Sequence, residues 1–221
     1  MNRLSPSQIA LPLSVGAGVQ RIVVGNANAA VIEALQAPDR WPFHVAVLTG
    51  PQRSGKSLLT RWAQGLVGAE RLAVIDDAET HDETDLFHRW NAVQKGGVSA
   101  NADGGGALLL VANVDDDSGG WRITLPDLAS RIGGSLQLAI GAPDDAMAGE
   151  LIHALAEQRG LSLPDGAAEY LVPRTTRSFA ALEVLVATID RISLERQTPA
   201  TMSVWRAALD ALHGPEQQQL L

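Results

Sequence analysis

The chain has 221 residues, 46% of them hydrophobic, enough for one α/β domain and a small helical one. It has no cysteines, which excludes a disulfide framework or a thiolate metal site and fits a reducing cytoplasm, and none of its five histidines has a metal-site spacing with a carboxylate. The 17 Lys and Arg against 25 Asp and Glu give a net charge of −8, which argues against broad electrostatic attraction to DNA; no apolar run reaches membrane-spanning length, and no signal-peptide core opens the chain.

Residues 1–20 read as a loose, extended segment. Within it lies Gln8-Ile9-Ala10-Leu11-Pro12-Leu13. An extended peptide with a leading glutamine and two leucines can dock in an apolar pocket, the amide fixing register at the rim; an edge strand or an ordinary tail fits the same residues. Residues 21–36 suggest a short strand or extended turn, then a helix from about Ala27 capped by Asn26 or Asn28. Pro38 to Pro42 breaks the chain.

Phe43 to Leu59, FHVAVLTGPQRSGKSLL, is the stretch with the sharpest chemistry. The apolar run Val45–Leu48 predicts a buried strand, and the pattern G-x-x-x-x-G-K-S then sits between that strand and a helix. Its loop residues are Gly50, Pro51, Gln52, Arg53, Ser54, Gly55, Lys56 and Ser57, with Leu58 following. The glycines let backbone N–H groups wrap a polyphosphate, Lys56 brings a point charge, and the Ser57 hydroxyl suits Mg²⁺. The helix start adds its dipole. This predicts binding of a nucleoside diphosphate or triphosphate.

A helix to about Gln64 follows, then a buried strand Leu72–Ile75 ending in Asp76-Asp77. Beside a phosphate loop, such a pair holds Mg²⁺ through its water shell and orients an attacking water. Residues 79–95 give an acidic turn and a helix with Leu86, Phe87, Trp90 and Val93 on one face; His81 and His88 read as surface residues. A Gly-rich loop from Gly96 to Gly106 leads to a third strand ending at Asn113. That amide either reaches a phosphate or water, or simply starts a turn. A short helix carries Arg131, read either as a surface residue or as a charge offered to a phosphate. A fourth strand runs about Leu136–Ile140.

From Pro143 the pattern is helical. Asp144 or Asp145 caps one helix, Pro164-Asp165 starts a short one, and Thr176 caps a long one. The long helix carries Phe179, Leu182, Val186, Ile189 and Ile192 on one face, with Arg177 in its solvated first turn. A last helix, about Met202–Leu212, ends at Gly214, and Gln217–Leu221 reads as a frayed end. The division expected is 1–20 as a flexible segment, 21–142 as a nucleotide-binding core and 143–221 as a helical lid.

The order of these pieces resembles an AAA+ ATPase of the DnaA family of bacterial replication initiators. The segments that carry the likeness are VVGNAN (23–28), LTGPQRSGKSLL (48–59), VIDDAE (74–79), LLLVAN (108–113), LPDLASRI (125–132) and RSFAAL (177–182). QIALPL at 8–13 resembles the sliding-clamp-binding peptide of short regulators in that family, with Gln8, Leu11, Pro12 and Leu13 as its contacts. The resemblance implies Asp76 and Asp77 as Walker B acids, with Asp76 on the metal beside Ser57. It implies Asn113 at sensor 1, Arg177 at sensor 2 and Arg131 as an arginine finger reaching a neighbouring subunit. Val24 and Asn28 fall in the segment enclosing the adenine. The implied cofactors are ADP or ATP with Mg²⁺. The implied partners are DnaA and the sliding clamp, with self-association among the options.

The sequence departs from the family pattern in three ways. Lys56 and Asp76 stand only 20 positions apart, so the edge strand and initiator-specific insertion are missing and about four core strands are expected in a parallel sheet. No helix-turn-helix segment follows the lid, so sequence-specific DNA binding is not expected. An asparagine stands at sensor 1 in place of an acid, which points to weak hydrolysis of its own. The function implied is a clamp-tethered, cytoplasmic regulator that stimulates ATP hydrolysis by DnaA-ATP, that is, regulatory inactivation of DnaA. Two rivals are a stand-alone ATPase of the helicase-loader kind and a non-hydrolysing scaffold.

Overall fold

The computed structural model describes residues 11–13, 20–96, 106–114 and 120–214, with backbone alone for 11–13 and 20. Gln8 and Gln217–Leu221 lie outside the described residues. The chain divides into two compact units: Asn28–Gly141, and a discontinuous one made of Met1–Ala27 together with Ala142–Leu221.

The Asn28–Gly141 unit is built on a four-stranded parallel sheet, as the sequence predicts. Its strands are β3 (Val45–Gly50), β4 (Leu72–Ile75), β5 (Ala107–Asn113) and β6 (Leu136–Ala139), in the order β4-β5-β3-β6. The two central strands are near-continuous apolar runs because both faces of a parallel sheet are covered. Val45 to Leu48 and Leu108 to Ala112 are all 2% exposed or less. Val45, Val47, Leu108 and Leu110 pack against α3 (Glu83–Gln94) and α4 (Pro126–Gly134) through Leu86, Trp90, Val93, Leu128 and Ile132. Strand alternation turns Ala46, Leu48, Leu109 and Val111 to the other face, which α1 (Ala29–Leu35) and α2 (Lys56–Val67) cover. β3 therefore feeds a helix on one face, and its neighbour β5 leads to a helix on the other. The carboxyl ends of these two strands flank a topological switch point, where open α/β sheets bind ligands. The register sets Gly50 directly beside Asn113 there.

At α1 the asparagine of the N-cap position is Asn28, 95% buried, whose side chain makes no capping bond. α3 is capped by Asp82, whose carboxylate accepts from the backbone N–H of Asp85 and Thr84 and is held below its ordinary value by those bonds, the Asp85 bond first. Next to it, Glu83 accepts from the backbone N–H of Thr124 and Leu125, which lowers its pKa in the same way and ties α3 to the segment entering α4.

The second unit holds a two-stranded antiparallel ribbon, β1 (Leu11–Leu13) with β2 (Gln20–Ile22), and helices α5 (Asp145–Gln158), α6 (Ala167–Leu171), α7 (Phe179–Arg196) and α8 (Met202–His213). Residues 20–27 thus belong with the helices by contact. Arg21 pairs with Glu150 at 3.3 Å, and the Asn26 amide donates to the Ala142 carbonyl while its oxygen accepts from the Asp144 N–H. Ile152, Leu171, Leu182, Leu185, Val186, Ile189 and Val204 are fully buried in one helical core. Asp144 caps α5 through the Met147 N–H. At α7 the cap is Ser178, whose hydroxyl accepts from the Ala181 N–H, and not Thr176; the apolar face starts at Phe179, so the helix enters there and Arg177 lies just before the cap. Among the described residues no helix is long and apolar enough to cross a membrane.

Candidate phosphate-binding site

β3 delivers its last residue, Gly50, to the switch point, and the chain turns through Pro51–Gly55 into α2. Gly55 has φ +87°, a left-handed conformation that a side chain resists, and a Cβ built on it would meet nothing within 4 Å. A helix start of this kind offers backbone N–H groups and the positive end of its dipole to an anion. Ser54 and Lys56 are 4% and 5% exposed. The Lys56 ammonium donates to the carbonyls of Gly50 (2.9 Å) and Pro51 (2.7 Å), so a full positive charge is held against the loop.

The Ser57 hydroxyl, on the first turn of α2, donates to Asp76 Oδ2 at 2.7 Å. Hydroxyl and carboxylate oxygens are the hard donors Mg²⁺ takes, and that ion keeps several waters and binds substrate phosphates rather than a protein cage. The donor set fits such an ion. Among the described residues there is no cluster of three or more His, Cys, Asp or Glu that would hold a metal unaided.

Asp77 follows with φ +50° and ψ +40°, uncommon for a non-glycine residue. A 3-10 turn over Ala78–Thr80 is stitched to it: Thr80 donates to the Asp77 carbonyl from both N–H (2.9 Å) and hydroxyl (2.8 Å). The Asn113 amide nitrogen, at the end of β5, donates to Asp77 Oδ1 at 2.6 Å and Glu79 Oε1 at 2.7 Å. The structure thus gathers Lys56, Ser57, Asp76, Asp77 and Asn113 at one edge of one unit. It adds Glu79, which the sequence does not single out; a third acid two positions beyond Asp77 is its only signal.

The remaining candidate residues have other neighbours. Arg131, on α4, turns to α3: its guanidinium sits 4.5 Å from the Phe87 ring centroid and 5.4 Å from that of Trp90, and donates to the Asp127 carbonyl. Gln52 and Arg53 are exposed, and Pro51 and Leu58 half-buried. Val24 and Arg177 belong to the discontinuous unit, where Arg177 pairs with Asp145 at 2.8 Å. Leu11, Pro12 and Leu13 lie in β1, their backbone paired with Ile22, Arg21 and Gln20.

The family model of the Hda lid domain matches residues 145–209. Those residues therefore resemble an Hda-type lid domain. Domain III of the replication initiator DnaA from Thermotoga maritima superimposes with a TM-score of 0.68 at 14% identity, over 88% of this chain and 95% of that one. The RuvB branch-migration motor of the same organism gives 0.60 at 14% identity, over 86% and 70%. AMPPCP-bound DnaA from Aquifex aeolicus gives 0.54 at 17%, over 80% and 67%. At these identities the likenesses show the AAA+ fold, with the parallel sheet followed by a helical lid.

Proposed function

We propose that this protein is an Hda-like, nucleotide-binding regulator of replication initiation, held at the sliding clamp by residues 8–13 and activating DnaA-ATP hydrolysis through Arg131. The observation that carries the reading is the occurrence in one chain of an Hda-type lid and a phosphate-loop sequence, in which Lys56 donates to the Gly50 carbonyl and Ser57 to Asp76. Gly55 and the α2 N-terminus bind the phosphates of ADP or ATP, Lys56 neutralises them, and Ser57 and Asp76 hold Mg²⁺, which neutralises developing phosphate charge when bound. Asp77 takes the proton of an attacking water, and Arg177 is the nucleotide contact carried by the lid.

Arg131 makes its contacts with α3 and with its own helix rather than with its own phosphate loop, which supports a role on another molecule's nucleotide. An arginine supplied in trans is worth roughly 10³ to 10⁵ in rate. The extended Leu11–Leu13 backbone is in the conformation that a pocket-docking peptide uses. The test has two arms. Clamp binding should be present in the wild type and lost in a Gln8→Ala, Leu11→Ala variant. Stimulation of DnaA-ATP hydrolysis should be lost in Arg131→Ala; retained stimulation would sink the finger assignment. The Asp77–Asn113 contact beside the protein's own loop favours one rival, a stand-alone ATPase. Appreciable turnover by the isolated protein, abolished in Asp77→Asn, would decide for it.

A further inference from the structure

Asn113 has two amide hydrogens, and both of its neighbours at the nitrogen are carboxylates, which only accept when ionised. The chemistry of the neighbours therefore fixes which way the amide faces. Its donors are spent on Asp77 and Glu79, and the polar atom left over is an oxygen. An oxygen repels a phosphate rather than binding it. In the same contact the amide fixes the orientation of the Asp77 carboxylate through Oδ1.

The backbone is bent to make this arrangement. Asp77 takes a left-handed conformation, the Ala78–Thr80 turn closes on its carbonyl, and Ala78 is completely buried in the core cluster under the sheet. That buried alanine pins the turn, so Glu79 is delivered to Asn113 rather than to solvent. The second oxygen of Glu79 is buried and has no hydrogen-bond partner. Strain at a non-glycine residue and an unsatisfied buried carboxylate oxygen are costs that a merely structural turn would shed.

We propose that Glu79 is a positioning residue that brakes the protein's own nucleotide hydrolysis by holding Asn113, and through it Asp77, away from the reacting groups. This rests on the reading of the loop as a nucleotide site. In hydrolysis a water oxygen bonds to the γ-phosphorus. The bond from that phosphorus to its bridging oxygen breaks, the electron pair going to the diphosphate, and the water's proton passes to the Asp77 carboxylate. Removing the Glu79 carboxylate frees one amide hydrogen for a phosphate oxygen and loosens the hold on Asp77.

The experiment is single-turnover ATP hydrolysis by the isolated full chain, with a fluorescent ADP analogue titrated in parallel. Glu79→Ala should raise the rate about tenfold, a fraction of what one donor to a developing oxyanion contributes. Glu79→Gln, whose side-chain oxygen still accepts from Asn113, should stay near the wild-type rate. The gain should vanish in Glu79→Ala, Asn113→Ala. Damage to the fold lowers a rate, so a rise separates a brake from a structural role. Should Glu79→Ala fail to fold, Glu79→Asp, one methylene too short to reach, carries the same expectation. No rise, or a rise that survives loss of Asn113, overturns the inference. Absent nucleotide binding in the wild type, or binding untouched by Lys56→Ala, overturns instead the reading it rests on.

Discussion

The most direct test of the phosphate-loop assignment is Gly55→Ala. The residue sits at φ +87° with nothing within 4 Å of where a methyl would stand, so the substitution adds backbone strain and no clash. Left-handed backbone costs a non-glycine residue about 1–2 kcal/mol, and alanine recovers about 0.4–1 kcal/mol by restricting the unfolded chain. The net loss is on the order of 1 kcal/mol, which for a chain of this size lowers the melting temperature by about 2–4 °C. The new methyl points into the open space of the loop, where it displaces phosphate from the α2 N–H groups. Losing one hydrogen bond to a charged group costs about 1.5–3 kcal/mol, so nucleotide affinity should fall by roughly ten- to a hundredfold. Gly65→Ala, on the exposed interior of the same helix with equal space, is the control and should gain about 0.5–1 kcal/mol with affinity unchanged. Thermal melts and titration with a fluorescent ADP analogue read both quantities. Gly55→Ala binding as tightly as wild type would refute the assignment.

Ser57→Ala should remove the Mg²⁺-dependent part of nucleotide affinity and leave the Mg²⁺-free part, measured by the same titration with and without chelator. Leu182→Ala, at a fully buried position in the helical core, should cost about 2–5 kcal/mol in denaturant unfolding. Asp82 and Glu83 have pKa values lowered from 3.8 and 4.5 by backbone N–H donors, so their contribution is complete above those values and fades as pH falls through the lowered ones. Asp82→Asn combined with Glu83→Gln should therefore flatten the acid side of the stability curve below about pH 4.5, and leave its neutral shape alone.

The strand runs at 45–50, 72–75 and 107–113 and the loop between β3 and α2 were legible because each is specified by residues next to one another in sequence. The apolar stripe of α7 was legible for the same reason, with Leu182, Val186 and Ile189 all at zero exposure. What escaped was set by distant partners. Asn26 serves Ala142 and Asp144, which no local cap rule reveals. The entry to α7 shifted from Thr176 to Ser178 because packing of Phe179 decides where the helix begins. Glu79 looked like one acid among several; only the return of β5 beside β3, with Asn113 at its end, gives it something to hold. Arg131 read as a surface or phosphate-seeking charge, while Phe87 and Trp90, some forty positions earlier, lie against its guanidinium.

The discontinuous unit has a consequence for synthesis. Arg21 and Asn26 wait for partners 129 and 116 positions downstream, whereas Asn28–Gly141 carries a core of its own. At translation speeds of about 5–20 residues per second, the 20–27 segment emerges on the order of ten seconds before α5 exists to receive it. For that interval Ile22 and Val23, both buried in the finished protein, lack the helices of their own unit. A ribosome-associated holdase meeting this chain would be expected to engage it there first.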